Sequence, residues 1–181
     1  MNLETLAWDP VLCGLFGVPM ECLPEIRSTA DAFGSVGGIA ITANVVDQQA
    51  ALFGHGCRKA GDAKITFGTG AFALCVVGDK PLRDVASGLL PTIAWRIGKA
   101  PPAYALDGGV YNAASAVNWA RNLGLFADYT DIDDFAADSA IGRDIAFVPA
   151  LSGLGCPYWD RSAAGMWLGL GLDTSKADMI Q

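Results

Sequence analysis

The chain has 181 residues, of which 52% are hydrophobic and 17% charged, and this balance excludes an intrinsically disordered protein. Its net charge is −7, and the 12 basic residues form no cluster, which disfavours a nucleic-acid partner. The apolar stretches are too short to span a bilayer, and the N-terminus lacks the basic start of a signal peptide. We therefore expect a soluble, cytoplasmic protein with no membrane partner.

The cysteines predict buried, reduced thiols. There are 5 of them, an odd number, widely spaced and without a Cys-x-x-Cys pair. His55 is the only histidine, so no metal-ligating cluster is indicated.

The first half of the chain alternates short helices and strands. Asp9 and Pro10 predict the start of a short helix, and Gly17 predicts its end. Residues 39–46 are apolar and β-branched and predict a buried strand, and residues 48–57 predict the helix that follows. Further strands are predicted at residues 64–67, 71–77 and 89–97.

The second half continues the mixture of helices and strands. Residues 110–123 carry an apolar stripe at helical spacing, with Gly124 as the stop. Further elements are predicted at residues 132–140 (an acidic helix), 144–148 (a strand) and 166–170 (a strand). Thr174 or Ser175 caps a helix over residues 176–181, and because domains rarely end within a newly capped helix, we expect a truncated chain. The whole pattern predicts an α/β layered fold with an antiparallel or mixed sheet.

Asp47 lies where the predicted strand ends and the next helix begins. Open α/β sheets bind their ligands at such positions, where a carboxylate can accept a proton from a substrate hydroxyl as general base. Gln48 would then hydrogen-bond a neighbouring hydroxyl. The alternative is that Asp47 only caps the helix and interacts with its positive end, and both roles can hold together.

The turn at Gly68, Thr69 and Gly70 joins two predicted strands. Its backbone amides are not shielded by side chains, and Thr69 adds a hydroxyl, a combination that suits phosphate oxygens. The alternative is an ordinary hairpin turn. The turn has neither the Walker spacing nor the dinucleotide-binding spacing.

Ordered segments along nearly the whole chain resemble the FGGY family of carbohydrate kinases, and within it the glycerol kinases. They lie at residues 47–54 (DQQAALFG), 67–72 (FGTGAF), 88–95 (GLLPTIAW), 104–108 (YALDG) and 147–160 (FVPALSGLGCPYWD). The resemblance implies an α/β, actin-like and ribonuclease-H-like fold whose two domains close over ATP and a polyol. It also implies that residues 1–54 are the tail of the first kinase domain and residues 55–181 the first part of the second.

The resemblance assigns a role to each matching residue. Asp47 would be catalytic and would take the proton from the glycerol hydroxyl that attacks the γ-phosphate of ATP. Gln48 and Phe72 would line the glycerol pocket, and Gly68 and Thr69 would contact the nucleotide phosphates. Mg²⁺ would bridge phosphate oxygens, as phosphoryl transfer requires.

Three residues depart from the family pattern. Val46 stands where glycerol kinases usually have a glycine. Ala114 and Asn118 stand where they usually have a nucleotide-facing glycine and glutamine, so the resemblance implies nucleotide-binding positions with an altered contact. The alternative for these two residues is ordinary helix packing and a polar helix face.

The expected function is ATP-dependent phosphorylation of glycerol, or of a similar polyol or sugar, by a kinase of which this chain is an incomplete piece. We expect the isolated chain to be inactive. One alternative is a family member acting on a pentulose, erythritol or gluconate, and another is a non-catalytic remnant that acts only by binding. The expected partner is the small-molecule substrate, and a homo-oligomer is a further hypothesis.

Overall fold

The computed structural model describes residues 1–83, 85–132 and 139–181 of the chain. The chain forms two compact units: unit 1 comprises Met1–Lys64 and Ala73–Asp107, and unit 2 comprises Ile65–Phe72 and Gly108–Gln181. In the described residues, no helix combines the length and the apolar composition that crossing a membrane requires.

Helices and runs of consecutive strands are mixed along the chain. The helices are α1 (Pro10–Leu15), α2 (Asp47–Gly54), α3 (Ala114–Asn122) and α4 (Lys176–Ile180). The strands are β1 (Ser35–Val36), β2 (Ile39–Ala40), β3 (Ala63–Phe67), β4 (Ala71–Gly78), β5 (Leu90–Trp95), β6 (Ala103–Val110), β7 (Ala146–Val148) and β8 (Met166–Leu168). The largest sheet has the order β3-β4-β6-β5, while β1 pairs with β2 and β7 with β8, both antiparallel.

The local signals at the start of the chain are confirmed. Asp9 Oδ1 accepts the backbone N–H groups of Val11 at 2.9 Å and Leu12 at 3.2 Å, and Pro10 is the first residue of α1. Gly17 follows the helix with a positive φ of 64°, a conformation that favours glycine. These contacts lie within a few residues of each other, so the sequence alone was sufficient to predict them.

The prediction of a buried strand over residues 39–46 is wrong. Only its first two residues form β2, and Ala43 makes an isolated bridge to Ala30. Ile39 is 77% exposed and Val46 is 64% exposed. The β-branched residues of this segment favour strand geometry. However, β1 is only two residues long, so the pairing with β2 ends after two residues.

Leu52 anchors α2 on the core of unit 1. Its side chain is fully buried and packs in one cluster with the buried residues Leu74, Val76, Ala94 and Ala105 of β4, β5 and β6. Burial of a leucine contributes about 1.5–3 kcal/mol. This packing holds the helix and therefore the position of its first residues.

The strand β6 was not predicted, and it moves the start of the next helix. Val110, the first residue of the predicted helix, is the last residue of β6, and α3 begins only at Ala114. In β5 and β6 the antiparallel register pairs Leu90 with Asp107. Glycines are depleted in strands, so Gly108 and Gly109 disfavoured a strand prediction for β6.

Unit 2 contains a stack of aromatic rings. The Phe147 ring stacks on Trp119 with 5.5 Å between centroids and on Trp167 with 4.5 Å. The strands predicted near residues 144–148 and 166–170 are confirmed as the shorter β7 and β8. Of the predicted acidic helix, residues 133–138 lie outside the described residues, and short 3-10 helices lie on either side at Tyr129–Ile132 and Ala140–Arg143.

The last helix and the cysteines follow the predictions in most respects. Ser175 caps α4 through a capping box with Asp178. All five cysteines are free thiols, but only Cys13 is buried, while Cys22 is exposed and the others are intermediate. The expectation that all of the thiols are buried is therefore wrong.

Candidate functional site

Asp47 is the first residue of α2. Val46 precedes it as the N-cap in an extended conformation and makes no side-chain cap hydrogen bond. The Oδ1 atom of Asp47 accepts the backbone N–H of Gln48 at 2.7 Å, and the residue is exposed. The carboxylate therefore interacts with the positive end of the helix, as the capping alternative states, while it remains open to a ligand.

Lys64 contacts the second predicted residue of this site. Its Nζ donates a hydrogen bond to Oε1 of Gln48. Only 7% of Lys64 is exposed, although it lies in a strand whose neighbouring residues Ala63 and Ile65 are exposed. Lys64 was not predicted as a site residue, because no motif in the sequence marks it.

Burial and nearby charges shift the pKa of Lys64 in opposite directions. Burial lowers the pKa of Lys64, while attraction by Asp107, Asp47 and Cys57, in that order, opposes the shift. Burial raises the pKa of Asp107, and Lys64 opposes that shift in turn. Lys64 therefore interacts with Gln48 through a hydrogen bond and with Asp47 and Asp107 through electrostatic attraction, all within unit 1.

The glycine-rich turn lies in unit 2, where its carbonyl groups bind the start of α3. The carbonyl oxygen of Gly68 accepts the N–H of Ala114 at 3.0 Å. The carbonyl oxygen of Thr69 accepts the N–H of Ala113 at 2.8 Å and the hydroxyl of Ser115 at 2.9 Å. Three predicted nucleotide contacts (Gly68, Thr69 and Ala114) therefore do lie together.

Thr69 has donors that remain available for a ligand. Thr69 is exposed. Within the described part of the chain, neither its backbone N–H nor its hydroxyl has a hydrogen-bond partner. The amide N–H groups at the start of α3 are instead occupied by turn carbonyls. If a phosphate binds here, it is therefore the turn and not the helix terminus that supplies the donors.

Glycines permit the backbone around the turn to pack closely. A Cβ on Gly70 would overlap the carbonyl oxygen of Val110, and a Cβ on Gly155 would overlap that of Gly109. A Cβ on Gly109 would lie 2.9 Å from the ring of Phe72. Phe72 therefore rests on a glycine of β6 and remains 39% exposed.

Asn118 has a partner within its own unit. Its Oδ1 accepts the hydroxyl of Tyr129 at 2.5 Å, and the residue is exposed on α3 one turn after Ala114. This hydrogen bond accords with the polar-face alternative, and the role of Asn118 in nucleotide binding stays a prediction. The convergence of Asp47 and the glycine-rich turn on one substrate also stays a prediction.

The chain is similar to carbohydrate kinases in sequence and in structure. It is 41% identical over 190 residues to a glycerol kinase of Myxococcus xanthus, covering 100% of this chain and 38% of that protein. The crystal structure of Plasmodium falciparum glycerol kinase with ADP matches with a TM-score of 0.83 and 32% identity, covering 99% of this chain and 37% of that one. A ligand-bound xylulose kinase from Lactobacillus acidophilus matches with a TM-score of 0.80 and 25% identity, covering 99% and 38%.

A family model extends this similarity to the domain level. The model of the FGGY family of carbohydrate kinases, C-terminal domain, matches residues 63–181. The chain spans 38% of the length of the Myxococcus xanthus protein, and the division predicted after residue 54 stays a prediction. The expected actin-like α/β fold is confirmed by the matching structures. On these findings, the chain belongs to the FGGY family of carbohydrate kinases.

Proposed function

We propose that the chain is part of an ATP-dependent kinase that phosphorylates glycerol. The observation that carries the proposal is the exposed carboxylate of Asp47 at the start of α2, with Gln48 beside it and Leu52 anchoring the helix. The identity to a glycerol kinase, 41% over 190 residues, supports glycerol as the acceptor.

Asp47 acts as the general base in this proposal. The attacking hydroxyl oxygen forms a bond to the γ-phosphorus of ATP, the bond from that phosphorus to the bridging oxygen breaks, and ADP leaves. The hydroxyl proton passes to the Asp47 carboxylate, which is available to accept it because it is exposed. Gln48 orients the polyol next to this carboxylate, and Phe72 contributes an apolar wall to its pocket.

Thr69 and its turn bind the nucleotide phosphates. The free backbone N–H and hydroxyl of Thr69 suit phosphate oxygens, and Gly68 leaves the approach open. Ala114 lies beside the turn through its backbone hydrogen bond to Gly68, and Asn118 follows on the same helix. Mg²⁺ bound with ATP would neutralise phosphate charge during the transfer.

In this proposal, the protein that contains the chain is a cytoplasmic phosphotransferase for a small polyol or sugar, and copies of it associate into a homo-oligomer. We expect the isolated chain to be inactive, because it spans 38% of the length of its Myxococcus xanthus relative.

A segment-replaced kinase tests the proposal. In it, residues 1–181 replace the matching segment of the Myxococcus xanthus glycerol kinase, and ADP release is measured with glycerol, a pentulose, erythritol and gluconate. We expect glycerol to be the preferred acceptor. Preference for a pentulose would support the xylulose-kinase relationship instead, and ADP release with none of the acceptors would support the non-catalytic remnant.

Substitution of Asp47 then tests the base. Asp47→Asn should lower kcat about 10²- to 10⁴-fold while nucleotide affinity stays nearly unchanged, because the carboxylate acts on the acceptor hydroxyl. Asp79→Asn, which changes an exposed carboxylate in the turn after β4, is the matched control. Turnover that survives Asp47→Asn would remove Asp47 from the mechanism.

A further inference from the structure

Lys64 is a buried cation in a strand whose apolar residues are exposed. It is 7% exposed, whereas Ile65 and Phe67 of the same strand are 59% and 78% exposed. Among the residues that the structure describes, no other polar or charged residue is classed as buried. Lysine is rarely buried without partners, so the contacts of its Nζ explain why it lies there.

The contact with Gln48 fixes the orientation of an amide. Nζ of Lys64 donates to Oε1 of Gln48, and an ammonium group carries only donors, so the amide oxygen must face the lysine. The Nε2 group of Gln48 therefore remains available to donate hydrogen bonds. In the described part of the chain no acceptor takes the Nε2 hydrogens, and Gln48 is only half-buried.

Burial lowers the pKa of Lys64, and the surrounding charges oppose this shift. Asp107, Asp47 and Cys57 all favour the charged form, which opposes the effect of burial. Asp107 is half-buried on β6, opposite Leu90 of β5. Carboxylates on β6 and α2 thus attract the ammonium group of Lys64, and the hydrogen bond that this group donates to Gln48 is charge-assisted.

We propose that Lys64 is a positioning residue, which holds the amide oxygen of Gln48 so that Nε2 donates to an oxygen of the polyol beside Asp47. The inference rests on the proposed function, because it assigns a direction to a contact between the kinase and its acceptor. Gln48 then binds the lone pair of a hydroxyl oxygen and leaves the hydrogen of that hydroxyl for another acceptor. Asp107 acts on this contact by attracting the ammonium group of Lys64.

The first test observes the contact without any substrate. In the 181-residue chain, NMR should show an NOE between the side-chain methylenes of Lys64 and Gln48. Lys64→Met should move the side-chain amide resonances of Gln48, while Lys80→Met, which removes an exposed lysine, should leave them in place. Absence of the NOE in the unsubstituted chain would overturn the inference even if Lys64→Met fails to fold.

The second test measures steady-state kinetics in the segment-replaced kinase. Lys64→Met should raise KM for glycerol about tenfold and leave KM for ATP unchanged, which corresponds to the loss of one oriented hydrogen bond. Lys64→Arg retains a cationic donor and should recover part of the loss. If Lys64 had a purely structural role, Lys64→Met would instead change KM for glycerol and KM for ATP together, or would lower kcat.

Substitution of Gln48 tests the direction of the hydrogen bond. Gln48→Glu keeps an oxygen for Lys64 but replaces the Nε2 donor by an acceptor, so KM for glycerol should rise at least as much as in Lys64→Met. An unchanged KM in Gln48→Glu would mean that Gln48 accepts from the polyol, and the inference would be wrong.

The two hypotheses fail in distinguishable ways. If the segment-replaced kinase turns over glycerol normally and Lys64→Met leaves KM for glycerol unchanged, this inference fails and the proposed function stands. If it releases no ADP with any acceptor while the NOE is present, the proposed function fails and the substrate contact of Gln48 fails with it.

Discussion

Gly68 and Gly70 flank Thr69 in the same turn, but a side chain would meet very different surroundings at the two positions. A Cβ on Gly70 would overlap the carbonyl oxygen of Val110 and lie 3.1 Å from that of Tyr111. A Cβ on Gly68 would meet only the carbonyl oxygen of Gly70 at 3.8 Å, an ordinary contact. Both obstructing atoms at Gly70 are backbone atoms, so no side-chain rotation relieves the overlap.

We expect Gly70→Ala to lower the free energy of unfolding by about 1–3 kcal/mol, the usual cost of overpacking. Gly68→Ala should leave it unchanged within about 0.5 kcal/mol or raise it slightly, because alanine restricts the unfolded chain. The difference between the two variants therefore isolates the overlap with Val110 and Tyr111 from the general effect of losing a glycine.

Urea unfolding of the 181-residue chain, followed by tryptophan fluorescence, measures both variants. With a slope of about 2 kcal/mol per molar urea, a loss of about 2 kcal/mol moves the midpoint down by about 1 M. Equal midpoints for Gly68→Ala and Gly70→Ala would refute the reasoning. A Gly68→Ala variant that unfolds earlier than Gly70→Ala would refute it as well.

Three further predictions concern charge and hydrogen bonding. Hydrogen bonds from Ser175 are the largest cause that lowers the pKa of Asp178, to about 2. Stability should therefore fall as pH drops from 3.8 towards 2, and Asp178→Asn should remove that part of the dependence in unfolding measured at each pH. Asp107→Asn should lower the pKa of Lys64 further, as an NMR titration of its ε-carbon would show, because Asp107 favours the ammonium form. In the segment-replaced kinase, Asn118→Gln should strengthen nucleotide binding about threefold by calorimetry, and an unchanged affinity would favour the alternative that Asn118 only belongs to a polar helix face.

Elements with short-range signals could be predicted from the sequence. The cap of α1 depends on Asp9 and Pro10, and the cap of α4 depends on Ser175 and Asp178, all within one helical turn. The strand β6 could not be predicted, because its composition is shaped by what lies against it. Gly109 is a glycine because the Phe72 ring occupies the space of a Cβ, and this neighbour is distant in sequence.

The candidate site shows the same division between local and long-range information. Asp47 and Gln48 were predicted because a carboxylate before a helix is a pattern within a single segment, and the structure places both at the start of α2. The turn with Gly68 and Thr69 and the helix residue Ala114 were predicted separately, and the hydrogen bonds of the turn to α3 bring them together. Their roles in catalysis and nucleotide binding stay predictions.

Lys64 shows why the remaining part of the site required the fold. Alternation along β3 divides its residues between two faces, and apolar preference alone would bury Ile65 and Phe67. The structure buries Lys64 instead, because its Nζ donates to an amide oxygen on α2 and the Asp107 carboxylate on β6 attracts its ammonium group. A buried lysine is tolerated only where such acceptors converge, and these acceptors come from separate segments. Polar partners therefore account for the face that β3 presents to the core, and one of them, Gln48, directly follows the proposed base in α2.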